Sequence, residues 1–214
     1  MLRDVADLYN RNIINILLIC LILVVPITFF NYAAIAYIIN LDTVEYANIP
    51  ALALWVLNFT ILFPPFFLIA KMDATDQEVN LKAILSFFIM KFGFVAAVTI
   101  VFFAIGMIGS VFLFIPSLIA ALIILLFPLY ADQENIKAAI QGVWGIIKRE
   151  HIFLFIDVLI IVSLNVLVWS GSLYLLGGFE NNTLVFIVLR ALINSLIFPV
   201  VYFYLTFKYR KDFA

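Results

Sequence analysis

The stretch "IPSLIAALIILLFPLYADQENIKAAIQGVWGIIKREHIFLFIDVLIIVSLNVLVW", residues 115–169, decides the fold. An apolar run ends at Tyr130, gives way over residues 131–151 to the longest polar stretch in the chain, and resumes at Ile152. A helix needs about 20 apolar residues to cross the hydrocarbon core of a bilayer. Backbone in lipid must satisfy its own hydrogen bonds, so each apolar run reads as a helix. A membrane β-barrel needs shorter segments of alternating hydrophobicity, and the chain has none.

Working outward from this stretch, apolar runs occupy residues 13–39, 51–70, 84–106, 111–130, 152–176 and 183–207. The composition agrees. Of 214 residues 67% are hydrophobic, 12% are charged and 23 are Phe, and the mean hydropathy is +1.22. Soluble domains carry about 25% charge, so lipid is the solvent this chain requires. The expected fold is all-α and integral to the membrane: a single polytopic domain, 1–214, of six transmembrane helices arranged as three hairpins. The first run is too long for the apolar core of a signal peptide and follows Asp4 and Asp7, so it is expected to be a span.

Basic residues set the orientation. The connections "NLDTVEYANIP", Gly106–Ser110 and "GGFENN" contain no Lys or Arg. Arg3, Arg11, Lys71, Lys82, Lys137, Lys148, Arg149, Lys208, Arg210 and Lys211 all fall on the other side, ten of the 12 basic residues. The positive-inside rule makes that side, and both termini, cytoplasmic.

The polar stretch has an echo. Asp132-Gln133-Glu134 aligns with Asp76-Gln77-Glu78, and Ile136-Lys137-Ala138 with Leu81-Lys82-Ala83. A looser copy starts at Asp7. Each copy leads into the first helix of a pair, and each second helix carries "LFP" or "IFP", at Leu62–Pro64, Leu126–Pro128 and Ile197–Pro199. The chain therefore divides as 1–75, 76–131 and 132–214, either by internal repetition or by chance in so biased a composition. In the second copy Ile136, Ile140, Val143, Trp144 and Ile147 share a helical face, as expected of an amphipathic elbow at the membrane surface. Asp132 is expected to cap that helix, and Thr75 with Glu78 to form a capping box for the earlier copy. Residues 2–9 repeat the pattern, with Leu2, Val5 and Leu8 or Tyr9 inward. The elbow either turns the chain back into the bilayer or offers Lys137, Ile140, Trp144, Lys148 and Arg149 to a membrane protein or to anionic lipid.

Lys91, Asp157 and Arg190 fall inside the runs, where ionisable residues are costly and point to function. At 1.5 Å rise per residue Lys91 lies roughly 10 Å and Asp157 roughly 8 Å from the cytoplasmic ends. They are expected to pair there, unless Lys91 extends to the surface. Arg190 lies roughly 10 Å below the opposite face. Asn58 and Asn165 lie at similar depth, with Asn194 one turn away on the same helix. Such a cluster serves as interhelical glue or as a binding site for an anionic headgroup or small substrate. Prolines at 26, 64, 65, 116, 128 and 199 are expected to free backbone carbonyls and bend helices.

Other classes are not expected, a membrane-embedded enzyme being the third and least favoured reading. There is no Gly-rich phosphate loop, no nucleophile beside a base and no paired-carboxylate motif, so no catalytic residue and no cofactor is expected. Cys20 and His151 are the sole Cys and His, so no metal site built on them is expected. A net charge of −1 gives no reason to expect nucleic acid.

Three stretches resemble a diffuse family of bacterial six-helix membrane proteins, the YciC-like proteins and the membrane domain of some glycerophosphoryl diester phosphodiesterases. "LYNRNIINILLICLILVVP" is similar to their opening, "PPFFLIAKMDATDQEVNLKAILSFF" to their earlier turn, and "IPSLIAALIILLFPLYADQENIKAAIQGVWGIIKRE" to their second half. The YesL-like membrane proteins are similar in size and helix number. The resemblance implies a bundle in the bacterial plasma membrane without chemistry of its own, since the phosphodiesterase activity there belongs to a separate soluble domain. Two functions are compatible with the sequence. One is a non-enzymatic accessory, assembly or stress/immunity factor for another membrane component. The other is a small transporter or lipid-handling protein with its polar site around Arg190.

Overall fold

The computed structural model describes residues 2–41, 46–112, 114–133, 135–177 and 183–210. Glu134, Lys211 and residues 42–45 and 178–182 of the Lys- and Arg-free connections lie outside them. Every regular element among the described residues is helical: α1 (Leu2–Arg11), α2 (Ile13–Ile39), α3 (Asn48–Ala74), α4 (Leu81–Gly109), α5 (Ile115–Leu126, prolonged by a 3-10 turn Phe127–Tyr130), α6 (Ile136–Leu176) and α7 (Thr183–Tyr209). α2, α3, α4, α7 and the Ile152–Leu175 part of α6 are long and apolar enough to cross a membrane, and Ile115–Tyr130 is shorter. The chain is an all-helical, multi-pass membrane protein.

The prolines shape these helices as their missing N–H requires. Ahead of Pro26, α2 passes through a π-helical turn, Cys20–Val24, in which the Val25 N–H bonds the Cys20 carbonyl. At Pro64 and Pro65 α3 breaks at Leu62, and the Tyr202 hydroxyl of α7 donates to the Phe59 carbonyl at 2.7 Å. Pro128 sits in the 3-10 turn, whereas Pro199 is carried inside α7. The "LFP/IFP" marks are buried except for the half-buried Ile197. Phe59, Phe63 and Phe66 of α3 form one aromatic cluster with Phe198, Tyr202 and Phe203 of α7, while Phe127 packs on Phe94.

α3 lies at the centre, in contact with α2, α4 and α7. In its apolar window 56% of residues are buried, against 11% in that of α6, which faces outward along most of its length. The consecutive pairs α2–α3, α4–α5 and α6–α7 each pack together, and α2 closes against α7. The turn from α4 to α5 is tight. A Cβ on Gly109 would lie 2.7 Å from Pro116 Cβ and 2.9 Å from the Ser117 nitrogen, and Phe114 takes a left-handed φ of 61°.

The repeated phrase acts differently from the expectation. Asn80 and Asn135, not Thr75 or Asp132, cap the helices that follow, each side chain accepting from an N–H two residues on, Lys82 and Lys137, at 2.9 Å. Asp76 instead closes α3 in the left-handed conformation, φ 52°, with the Gln77 N–H returning to the Met72 carbonyl. Thr75 hydrogen-bonds back to Lys71 and Met72.

The second elbow is likewise absent. α6 runs unbroken for 41 residues, about 60 Å, twice the thickness of a hydrocarbon core. Its first turns bury Ala139, Val143 and Ile146 against the bundle and leave Ile136 and Trp144 exposed. Gly142 permits this approach, because a methyl group there would overlap the Tyr130 ring, and that ring is held by Arg210, whose guanidinium carbon lies 4.7 Å from its centroid. In α1, Val5 and Leu8 are buried as expected.

These turns surround an ionic knot. The Asp132 carboxylate accepts from Lys71 at the end of α3 at 2.7 Å and from Arg210 beyond α7 at 3.1 and 3.3 Å. Arg210 also donates to the Leu129 carbonyl and is only 3% exposed. Asp73, two residues after Lys71, binds Arg11 at 2.6 Å and Asn12 at 2.9 Å. Burial by itself raises the Asp132 carboxyl, but the hydrogen bonds from Arg210 and Lys71 outweigh it and hold the group below its ordinary value of 3.8. A depressed folded value means stability that is present above the ordinary value and lost as pH falls through the depressed one. Asp132→Asn is therefore expected to cost on the order of 3 kcal/mol at neutral pH, mostly through Arg210, since Lys71 is more solvated. Unfolding followed against pH in detergent checks this: the wild-type advantage should start to shrink as pH falls below about 4 and disappear only below the depressed value.

Candidate ligand site

At the opposite end of the bundle no ion pair forms among the described residues. Arg190 and Asn194 lie one turn apart on the inner face of α7, each 1% exposed. Asn165 and Trp169 are spaced the same way on α6. Arg190 Nε donates to the Tyr32 hydroxyl of α2 at 3.1 Å, and Nη2 donates to Asn165 Oδ1. The guanidinium carbon stands 5.2 Å from the Trp169 ring centroid and 5.8 Å from that of Tyr32. These two rings are themselves stacked, 5.5 Å apart. A buried cation is thus held by one amide, one phenol and two ring faces, and no described carboxylate pairs with it. Two donors are left over: Arg190 Nη1 and Asn194 Nδ2 are buried without hydrogen-bond partners.

Beside this cluster lies a half-open cavity of about 360 Å³ between α3, α4, α5 and α6, capped by Phe198 of α7. Its walls are almost wholly apolar, with Trp55, Phe102, Phe103, Ala121 and Ile124 among them. Several wall hydroxyls are already engaged with backbone. Thr60, Ser110 and Ser117 donate to the carbonyls of Leu57, Met107 and Gly106. A cleft of about 10 Å³, room for about one water, separates cavity from cluster and reaches Arg190 and Asn194. Phe59, Ile161, Asn165 and Phe198 line both spaces. The side chain that occupies Arg190 therefore also forms part of the cavity wall.

Arg190, Asn165 and Asn194 converge. Asn58 does not join them; it is buried against α2, donating to the Thr28 hydroxyl at 3.3 Å. Tyr32 and Trp169 escaped the sequence reading, although Trp169 follows Asn165 at the helical interval and could have been found from it. The Lys91–Asp157 pair does not form. Asp157 of α6 faces α7, where Lys208 at 2.7 Å, Tyr204 at 3.1 Å and Tyr209 at 2.5 Å all donate to it. Lys91 instead reaches the Gln133 carbonyl at 3.3 Å, extending towards the polar connection between α5 and α6. Of the expected docking residues, Lys137, Trp144, Lys148 and Arg149 are exposed and Ile140 is half-buried. Lys148 Nζ lies 5.9 Å from the Trp144 ring centroid, and Arg149 pairs with Glu150 at 2.9 Å. Among the described residues no group of His, Cys, Asp and Glu side chains gathers that could hold a metal ion.

No protein-family model, curated protein or solved structure matches the chain. Its function is argued from this geometry.

As it stands, the cluster joins α2, α6 and α7. Asn165→Leu strands the guanidinium and is expected to lower stability by about 3 kcal/mol. Adding Arg190→Leu should recover much of that loss, because an apolar pair then replaces an unpaired buried charge. Unfolding of both variants in detergent checks this, and a double variant less stable than Asn165→Leu would contradict it.

Proposed function

We propose that this chain is a six-span protein of the bacterial plasma membrane that binds a lipid-like amphiphile between its helices, acting in lipid binding or handling. The cavity is the observation that supports this reading. It has the size and apolar lining of a small-molecule site, and its main polar wall group, Asn165, leads directly to a buried cation. The resemblance to YciC-like bundles, which implies no chemistry of their own, is compatible with it. The accessory-factor reading rests on Lys137, Trp144, Lys148 and Arg149, which are exposed at the start of a continuous helix and not on a separate elbow.

The sixth crossing assigned here is Ile115–Tyr130. Twelve α-helical and four 3-10 residues span about 26 Å, close to the roughly 30 Å core. The end carrying Arg11, Lys71, Lys208 and Arg210 is placed in the cytoplasm. Single cysteines at Ser110 and Asn135 in a Cys20→Ser background test this. A membrane-impermeant maleimide should reach Ser110→Cys only from outside and Asn135→Cys only from inside; labelling of both from one face would refute the crossing.

For the cavity, a neutral alkyl diazirine should label wall residues such as Phe103 and Ile124. Ala121→Phe, which fills the space from an exposed wall position, should reduce that labelling severalfold. Labelling confined to outward residues such as Ile100 and Leu159 would remove the reading.

A further inference from the structure

Arg190 Nη1 and Asn194 Nδ2 are hydrogen-bond donors, both buried, both without an acceptor, on side chains one helical turn apart that line the same cleft. Leaving such donors unmade in a low-dielectric interior is costly. A water suits neither well, because the cleft holds about one at most and a permanent cation lacks a counter-charge there. Donors without acceptors beside a cation match one kind of partner, an oxyanion. Arg190 supplies the planar, permanently charged fork that such groups prefer.

We propose that Arg190 and Asn194 form the subsite for an anionic headgroup, a carboxylate or phosphate, of a single-chain amphiphile whose tail lies in the neighbouring cavity. This rests on the lipid-binding reading above and names its ligand class. Asn165 is the element that adapts. Its amide oxygen accepts from Arg190 Nη2, and its side chain stands in the wall between cleft and cavity. Rotation of that side chain opens the wall and frees Nη2. The entering oxyanion then accepts from Nη1 and Nη2 together, with Asn194 Nδ2 as a further donor. The aromatic faces of Tyr32 and Trp169 hold the guanidinium in place during the exchange, so the charge stays fixed while the neutral amide moves. No bond is broken; the step is an exchange of acceptors.

The test uses the full chain in neutral-lipid nanodiscs with radiolabelled palmitate, competed by unlabelled palmitate, by the alkyl monophosphate of equal chain length and by the corresponding alcohol. The anions are expected to compete at least tenfold better than the alcohol. The better competitor of the two distinguishes a fatty-acid from a phosphate-type headgroup. Asn194→Leu is expected to weaken both anions about tenfold and leave the alcohol unchanged. Since that substitution removes a buried unpaired donor with little change of shape, the unliganded protein should unfold at the same or a higher temperature, which a structural role for Asn194 would not give. Arg190→Gln should abolish the preference for anions. If the alcohol competes as well as the anions in wild type, the anion subsite is wrong while the cavity stands. If none of the probes competes and Ala121→Phe changes nothing, the cavity reading fails and takes the subsite with it.

Discussion

A single carboxylate, Asp132, holds together the points at which α3, α5 and α7 leave the apolar layer. Lys71 lies in the last turn of α3, Arg210 follows α7, and Asp132 itself follows α5, so two chain reversals and the end of α7 meet on one anion. Arg210 has little exposure and lies over the rings of Phe67 and Tyr130. Its position in turn fixes Tyr130, and Tyr130 fixes how closely α6 approaches at Gly142. Asp73 of α3 with Arg11 of α1, and Asp157 of α6 with Lys208, Tyr204 and Tyr209 of α7, add ties at the same end. Charge-assisted hydrogen bonds are stronger than neutral ones, so this end is the rigid one.

The other end is built on a different principle. Its one cation among the described residues, Arg190, is held by neutral acceptors and ring faces, and part of its donor capacity is unused. Neutral acceptors are easier to exchange than carboxylates. The bundle is thus pinned where the basic residues gather and left adaptable where the cavity lies. This asymmetry is compatible with the binding site proposed at the far end, because the helices stay registered by their pinned ends.

How much of this could be read from the sequence depended on range. Helical class and membrane solvent followed from the apolar runs alone, since backbone in lipid has few alternatives. Arg190, Asn165 and Asn194 stood out because polar groups in such runs are rare and their spacing fixes depth and face. Their partner Tyr32 did not, for an aromatic residue in a helix rich in them carries no mark, and only the packing of α2 on α7 brings it near. The mistaken Lys91–Asp157 pair came from depth without direction: equal distance from one surface does not say which neighbour a side chain faces. The elbow failed for a related reason. An amphipathic segment suits a membrane surface, but it equally suits a helix that continues past the bilayer and packs on its own bundle. The caps went to Asn80 and Asn135 because the helices start later than the acidic residues suggested.

Native mass spectrometry of the protein released gently from its own membranes tests the central claim most directly. An acidic single-chain amphiphile retained in fixed proportion by wild type, and absent from a variant whose cavity is filled, is the expected result. A chain that carries no amphiphile, or that retains a second protein in fixed ratio and no lipid, would contradict the account and return attention to the exposed face of α6 around Trp144 and Lys148.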